Sequence, residues 1–455
     1  MRRDDVVLHA GVERRAFYLG EGEDAFFAWE HRASGDGQAA LAAVICGPVG
    51  HEFTRAHRTL RHLADRLALA GIPALRFDYH GIGDSPGTDL DPGRLERWQR
   101  DILAATGHAR AMTRAGRVCL IGVRLGATLA ALASATEPVE RMVLWNPCVK
   151  GRRYVRELQA VAQSAAQAAG DASGTLESAG FVMSAQTVAD ICALDLARHR
   201  PQVRDRVLVV GRDDLAADES LIAALAALGI PSDFVRLPGW AGMMAEHQFT
   251  VVPEEALRFI VDWVTKPCVS QPRHRVPGAL RATGRLSLRD GIEESTCRFG
   301  RGDNLFGILS RRHADPAAAA IVMFNAGAVH HVGPNRIYVT LARSLAAMGF
   351  ACLRFDLEGI GDSVLRAPGR ENHPYPQTAC DDARAAIEYL RHAHGYSRFI
   401  ALGLCSGAHT AFHSALKLQQ EAIDEVILIN PLTFYFREGM SLATANDFAD
   451  AQAYR

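Results

Sequence analysis

Short apolar runs without polar alternation punctuate this chain, and stretches of helical periodicity lie between them. LAAVIC, LRF, VCLIGV and RMVLW are of this kind in the first half, as are AAAIVMF, LRF, FIALGL and EVILI in the second. Segments apolar on both faces fit central strands of a parallel sheet, which helices must then cover on both sides. Each half opens differently, on alternating segments: RRAFYLG with DAFFAWEHR, and STCRFG with LFGILSRR. That pattern predicts an antiparallel hairpin at the sheet edge. The predicted class is α/β, with a mostly parallel sheet in each half.

The halves are an imperfect repeat. Leu75-Arg-Phe-Asp-Tyr-His-Gly-Ile-Gly-Asp-Ser85 returns as Leu353-Arg-Phe-Asp-Leu-Glu-Gly-Ile-Gly-Asp-Ser363. Upstream, LAAVICGPVGH (41–51) parallels AAAIVMFNAGAVHH (318–331), and helical patterns run from Leu60 to Ala70 and from Leu341 to Met348. Downstream, RMVLWNP (141–147) parallels EVILINP (425–431). A period of about 280 residues is too long for a solenoid and indicates a duplicated domain. The first domain is expected over 1–264, with an Ala/Gln-rich helical insert at 150–205, strands at 206–211 and 233–239, and a closing helix at 254–264. A Pro-bearing linker is expected at 265–290. The second domain, 291–455, has no counterpart of the first domain's last strands.

Composition narrows the function classes. A net charge of −1 over 455 residues gives no electrostatic reason to expect nucleic acid. No apolar stretch reaches the ~18 residues of a membrane span, and the first residues lack a secretory h-region. Nine cysteines without a C-x-x-C spacing fit reduced thiols in a cytoplasm better than disulfides or zinc. No metal or organic cofactor is implied.

Two segments carry the chemistry: Gly122-Val123-Arg124-Leu125-Gly126-Ala127 and Gly403-Leu404-Cys405-Ser406-Gly407-Ala408. Each follows an apolar run and precedes an Ala-rich helical pattern, the layout of a G-x-Nuc-x-G turn between strand and helix. With the paired F-D-x-x-G-x-G-D-S segments and Gly211-Arg212-Asp213-Asp214, they resemble the α/β-hydrolase superfamily, within it the serine-aminopeptidase-like (S33-type) and exosortase-associated branches. The resemblance covers about 25–265 as a whole domain and about 295–455 as the front of one. It implies two tandem α/β-hydrolase domains, acyl chemistry on a small-molecule substrate, and a nucleophile at the third place of each elbow.

Cys405 holds that place in the second half, where a helix N-terminus favours a thiolate; free cysteine is also often just a small buried hydrophobe. Ser406 is the neighbouring hydroxyl, one position too late. Oxyanion donors are expected from the Ser406 amide and the loop at Ala328–Val329, with Val49 and Leu125 in the corresponding places of the first half. Arg124 cannot attack a carbonyl, because its guanidinium stays protonated. It is expected either to pair with Asp213 or Asp214, or to bind a carboxylate or phosphate beside the Gly47–Gly50 amides. The resemblance gives Asp213 or Asp214 the acid's place and His247 the base's.

Asp213 and His247 lie 89 and 123 positions after Arg124, and equal spacing from Cys405 reaches about 494 and 528. Three expectations stay open: a longer reading frame past Arg455, a site shared between the halves with His247 serving Cys405, or a local base among His330, His331, His373 and His409. In the G-I-G-D-S segments the third glycine of a dinucleotide loop is missing, and Asp84 and Asp362 are expected to cap a turn. The function expected is acyl hydrolysis through Cys405; acyl transfer, or a non-catalytic protein binding an acyl or carboxylate ligand, are the alternatives.

Overall fold

The computed structural model describes residues 6–35, 39–113, 116–164, 174–215, 219–267, 280–312, 319–418 and 423–436. The chain forms two compact units, Met1–Leu288 and Arg289–Arg455.

Among the described residues, nine of the ten strands of the first unit's main sheet form one path: β1 (Val6–His9), β2 (Val12–Leu19), β3 (Phe26–Ala33), β4 (Ala42–Cys46), β5 (Ala74–Phe77), β6 (Val118–Val123) and β7 (Val139–Trp145), then β10 (Val203–Arg212) and β11 (Ser232–Leu237). Their order is β1-β2-β3-β5-β4-β6-β7-β10-β11. From β5 onward the pairing is parallel, and β1 to β3 form the antiparallel edge that the alternating segments predict. Helices α1 (His51–Leu69), α2 (Arg94–Ala111) and α3 (Leu125–Thr136) connect the central strands. Phe53, Ala56, Leu60, Leu63, Ala64 and Leu67 give α1 one buried stripe at helical spacing. The helix begins at His51, not near Leu60, because the apolar positions in polar HEFTRAHR continue the same stripe.

The insert after β7 is not helical throughout. It holds α4 (Gly151–Ser164), a hairpin of β8 (Leu176–Ser178) and β9 (Phe181–Met183), and α5 (Ala185–Cys192), which Ser184 caps by accepting the Thr187 N–H. Residues 165–173 of the insert lie outside the described residues. Helices α6 (Glu219–Ala227), α7 (Trp240–Met243) and α8 (Glu254–Thr265) flank β10 and β11. Within the segment expected to be a linker, β12 (Ala282–Thr283) pairs antiparallel with β2, and the short β13 (Arg285–Ser287) follows; residues 268–279 are outside the described residues.

In the second unit β14 (Ile292–Phe299) and β15 (Leu305–Arg312) are the antiparallel edge, followed by β16 (Ala320–Phe324), β17 (Ala351–Phe355), β18 (Phe399–Leu404) and β19 (Glu425–Ile429). The order β14-β15-β17-β16-β18-β19 repeats that of β2 to β7. Its helices are α9 (Ile337–Ala347), α10 (Ala379–His394) and α11 (Ser406–Leu418). Strand β7 is buried along its length because β10 lies beyond it, whereas β19, last in sheet order among the described residues, is largely exposed.

Buried charge beneath the antiparallel edges is neutralised differently in the two copies. Arg14 grips Asp65 through two hydrogen bonds of 2.9 and 2.6 Å, and Asp65 also meets His31 Nδ1 at 2.8 Å. In the second unit Glu294 accepts from Ser310 at 2.8 Å, Arg343 at 2.7 Å and Arg354 at 3.0 Å. Paired burial of this sort avoids the several kcal/mol that an isolated interior charge costs.

Candidate active site

Both elbows form. Arg124 has φ 53° and Cys405 φ 60°, left-handed conformations that cost a residue with a Cβ on the order of 1–3 kcal/mol. The Arg124 N–H donates to Trp145 O at 3.0 Å and the Cys405 N–H to Ile429 O at 3.0 Å, so the neighbouring strand end holds each turn. Glycine is required on either side. A Cβ on Gly122 would collide with Ala127 and one on Gly126 with the Gly47 carbonyl; Gly403 and Gly407 are crowded by the Gly407 and Phe324 carbonyls in the same way.

A cavity of about 640 Å³ opens at the first elbow, lined by Arg124, the first turn of α1, the cap helix α4, and apolar side chains such as Val209 and Trp240. Arg124 is 8% exposed. Its Nε donates to Glu52 Oε1 at 2.7 Å and its Nη2 to Glu157 Oε2 at 2.5 Å, and the guanidinium lies 5.1 Å from the centre of the Tyr154 ring. Tyr154 donates its hydroxyl to Glu52 Oε2 at 3.3 Å.

The expected pair with Asp213 or Asp214 is replaced. Asp214 is taken by Arg212 at 2.7 and 2.5 Å, and Asp213 sits on an exposed turn whose carbonyl accepts from Arg236 at 2.6 Å. Glu52 prevails because α1 starts beside the elbow, whereas the turn after β10 faces solvent. His247 is in a short 3-10 turn, His247–Phe249, with Nε2 2.9 Å from Thr54 Oγ1. Burial, with Arg55 and His51 adding to it, depresses its pKa to about 4, so it is neutral at pH 7. None of Asp213, Asp214 and His247 lines the cavity, and no triad assembles from them. Val49 and Leu125 are both buried.

At the second elbow the Ser406 amide beside the sulfur favours the Cys405 thiolate. Burial nevertheless pushes the thiol above its ordinary range, and this outweighs the amide. The expected lowering by the helix terminus is therefore corrected: desolvation of the thiolate exceeds it. Alkylation of Cys405 by iodoacetamide at pH 7 is expected to be slower than that of free cysteine, rising about tenfold per pH unit up to pH 9 as thiolate forms. A plateau below pH 8 in peptide-resolved mass spectrometry would contradict this.

Ser406 is buried and its Oγ accepts the Gly327 N–H at 2.7 Å, which ties the loop after β16 to the elbow. The Val329 amide is spent on Ala326 O at 3.2 Å, while Ala328 keeps an N–H without a partner among the described residues. Of the two expected loop donors, Ala328 is the one left open. His331 is 1% exposed; its Nδ1 meets Asp356 Oδ2 at 2.8 Å and its N–H donates to Asp356 Oδ1 at 2.6 Å. It docks the loop onto the end of β17. His330 is buried edge-on to His331, with ring centres 5.5 Å apart. His373 accepts the Tyr375 N–H at 3.1 Å. His409 stacks obliquely with His413, and burial with His413 and Lys417 lowers its pKa to about 4.

The aspartate that closes each G-I-G-D-S turn is not the one expected. Asp78 accepts the Asp84 N–H and Asp356 the Asp362 N–H, each at 2.9 Å. Two tyrosines escaped the sequence reading. Tyr338 donates its hydroxyl to Phe324 O at 2.9 Å and accepts the Leu404 N–H at 3.1 Å. Tyr375 is 6% exposed, with its hydroxyl buried and unpartnered among the described residues. Its ring lies 5.0 Å from that of His409, one turn along α11, and stacks on Phe436 at 4.3 Å. Burial, then the nearby Cys405, pushes its phenol up to about 12. No apolar periodicity or motif marks either tyrosine in the sequence.

A mostly parallel sheet in which a central strand, β6 or β18, passes through a strained G-x-x-x-G elbow into a helix, α3 or α11, is the α/β-hydrolase arrangement. The model of the serine aminopeptidase, S33 family matches residues 49–210 and 316–446, one stretch in each unit, and the chain belongs to that family of hydrolases. Among solved structures, Est1E from Butyrivibrio proteoclasticus is 18% identical, covering 55% of this chain and 99% of its own, with a TM-score of 0.40. XC6422 from Xanthomonas campestris, an a/b serine hydrolase without lid, is 17% identical over 58% of this chain and 99% of its own, with a TM-score of 0.37. No curated protein matches the chain in sequence. No helix among the described residues is long and apolar enough to cross a membrane.

Proposed function

We propose that the chain is an acyl hydrolase acting on an ester, thioester or amide of a small molecule through an acyl-enzyme on Cys405, with the first unit a non-catalytic copy. One observation carries this reading: Cys405 occupies the strained elbow at φ 60°, its N–H held by Ile429 O at the end of the neighbouring strand. The sulfur attacks the carbonyl carbon, the thiol proton ends on the departing alcohol, thiol or amine, and water then splits the thioester. The Ser406 and Ala328 amides and the Tyr375 hydroxyl supply donors for the oxyanion. The eight free cysteines among the described residues accord with a cytoplasmic setting.

The upward shift of the Cys405 thiol favours a second reading, an acyl-binding protein without turnover. Intact-mass spectrometry after exposure to p-nitrophenyl esters separates the two. An acyl adduct on the Cys405 peptide that decays with time supports hydrolysis. Ester turnover without any adduct, unchanged in Cys405→Ala, overturns it.

Replacing Tyr375 by Phe removes only the hydroxyl. Acylation of Cys405 is expected to fall on the order of 100–1,000-fold, the scale of one oxyanion donor, with substrate KM little changed. Stopped-flow acylation rates measure it, and an unchanged rate would remove Tyr375 from the donor set.

A further inference from the structure

We propose that the cavity of the first unit binds an amphipathic carboxylate, gripped by Arg124 in the nucleophile's place, and that Glu157 of the cap is a built-in competitor which the ligand displaces. The reading does not depend on Cys405.

Four observations converge on it. Arg124 is nine-tenths buried and lines the cavity, yet its Nη1 takes no partner among the described residues. Glu52 holds only Nε, which leaves the Nη1–Nη2 edge of the guanidinium for other partners. Nη2 on that edge is taken by Glu157, a carboxylate on α4 whose side chain is 42% exposed. The site thus already holds the functional group that fits it, carried on a helix at the surface.

Glu157 also has somewhere to go. Arg153 Nε lies 3.4 Å from its other oxygen, so release from Arg124 leaves it paired. Nη1 and Nη2 together then present the two parallel donors that match a carboxylate bidentately. Buried beside the elbow, the Asn146 Nδ2 is a further donor without a partner, and Asn146 lines the same cavity.

The walls decide the rest of the ligand. Arg124, Lys150, Arg153 and Arg212 outnumber Glu52 and Glu157 among the lining residues, and burial holds His51 below its usual pKa. Val209, Leu221, Phe234 and Trp240 supply apolar surface. A volume of about 640 Å³ falls within the ~300–1,000 Å³ of small-ligand sites. An alkyl or aryl chain ending in a carboxylate satisfies both parts; inorganic phosphate satisfies only one.

Isothermal titration of decanoate into the full chain carrying Cys405→Ala tests the proposal, with methyl decanoate and decylamine as controls. Decanoate is expected to bind and the controls to bind at least about tenfold more weakly, because only the acid completes the guanidinium fork. Glu157→Gln, at a half-exposed side chain, should tighten decanoate binding about threefold or more by removing the competing charge. Arg124→Lys keeps the charge toward Glu52 but loses the fork, and should weaken binding about tenfold. Circular dichroism checks that each variant is folded. Absent decanoate binding, a preference for decylamine, equal affinity in folded Arg124→Lys, or an unchanged Glu157→Gln would each overturn it.

Discussion

Cys405→Ala is expected to lower ester hydrolysis by at least about 100-fold while leaving the protein folded, and Cys405→Ser to be nearly as inactive. The first result follows from loss of the attacking atom. The serine variant is the more informative. A hydroxyl is far less acidic than a thiol, so it depends more heavily on an adjacent base. Among the described residues, the groups that act on this sulfur are the Ser406 amide and, nearby, the hydroxyls of Tyr338 and Tyr375, not an imidazole or carboxylate. A thiol retains a small reactive thiolate fraction without such help. Steady-state hydrolysis of p-nitrophenyl esters, with circular dichroism as the control for folding, reads both variants. Full activity in Cys405→Ser would mean that a base reaches this elbow, and activity in Cys405→Ala would place the chemistry elsewhere.

Asp356→Ala is expected to destabilise the second unit by about 3–5 kcal/mol, the scale for breaking a buried ionic network on one side. Asp356 is fully buried and accepts from the His331 N–H, the Asn325 amide and the Asp362 N–H, besides meeting the His331 ring. Its loss leaves buried donors unpaired and frees the loop that carries Gly327 and Ala328 to the elbow, so acylation of Cys405 should fall too. All five tryptophans, at positions 29, 98, 145, 240 and 263, are in the first unit. Guanidinium unfolding should therefore show an early loss of ellipticity in the variant that tryptophan fluorescence does not follow. Coincident transitions at the wild-type midpoint would refute it.

The two predictions draw on features of different legibility. The elbow of Cys405 could be read directly, because a turn this tight admits only glycine at its crowded positions and so leaves a fixed spacing. The role of Asp356 could be read only in part. Its place in LRFD-x-x-G-x-G-D-S was visible, but the residues it joins come from β16 and its loop, 25 positions or more upstream. Asp362 drew the eye instead, since a carboxylate in a turn usually bonds locally. The motif held two aspartates six residues apart, and local sequence gave no sign that Asp356 and not Asp362 would close the turn.

The same boundary runs through the first unit. Glu52 and Glu157 stand 72 residues before and 33 after Arg124, and neither spacing is a motif. The β8–β9 hairpin interrupts an Ala/Gln-rich insert whose composition favours helix, an instance of tertiary context overriding propensity.

By itself, the sequence determined the duplicated doubly wound fold, its antiparallel edges and the exchange of Cys405 for Arg124 at equivalent elbows. Periodicity, repeat spacing and glycine geometry are local, and they survive in one dimension. The tertiary structure alone decided that Arg124 is held by Glu52 and Glu157, that the Cys405 thiol is raised and not lowered, and that Tyr375 brings close to it a hydroxyl unpartnered among the described residues. Ion pairing and desolvation depend on which distant groups share a buried volume, and only the folded chain specifies that.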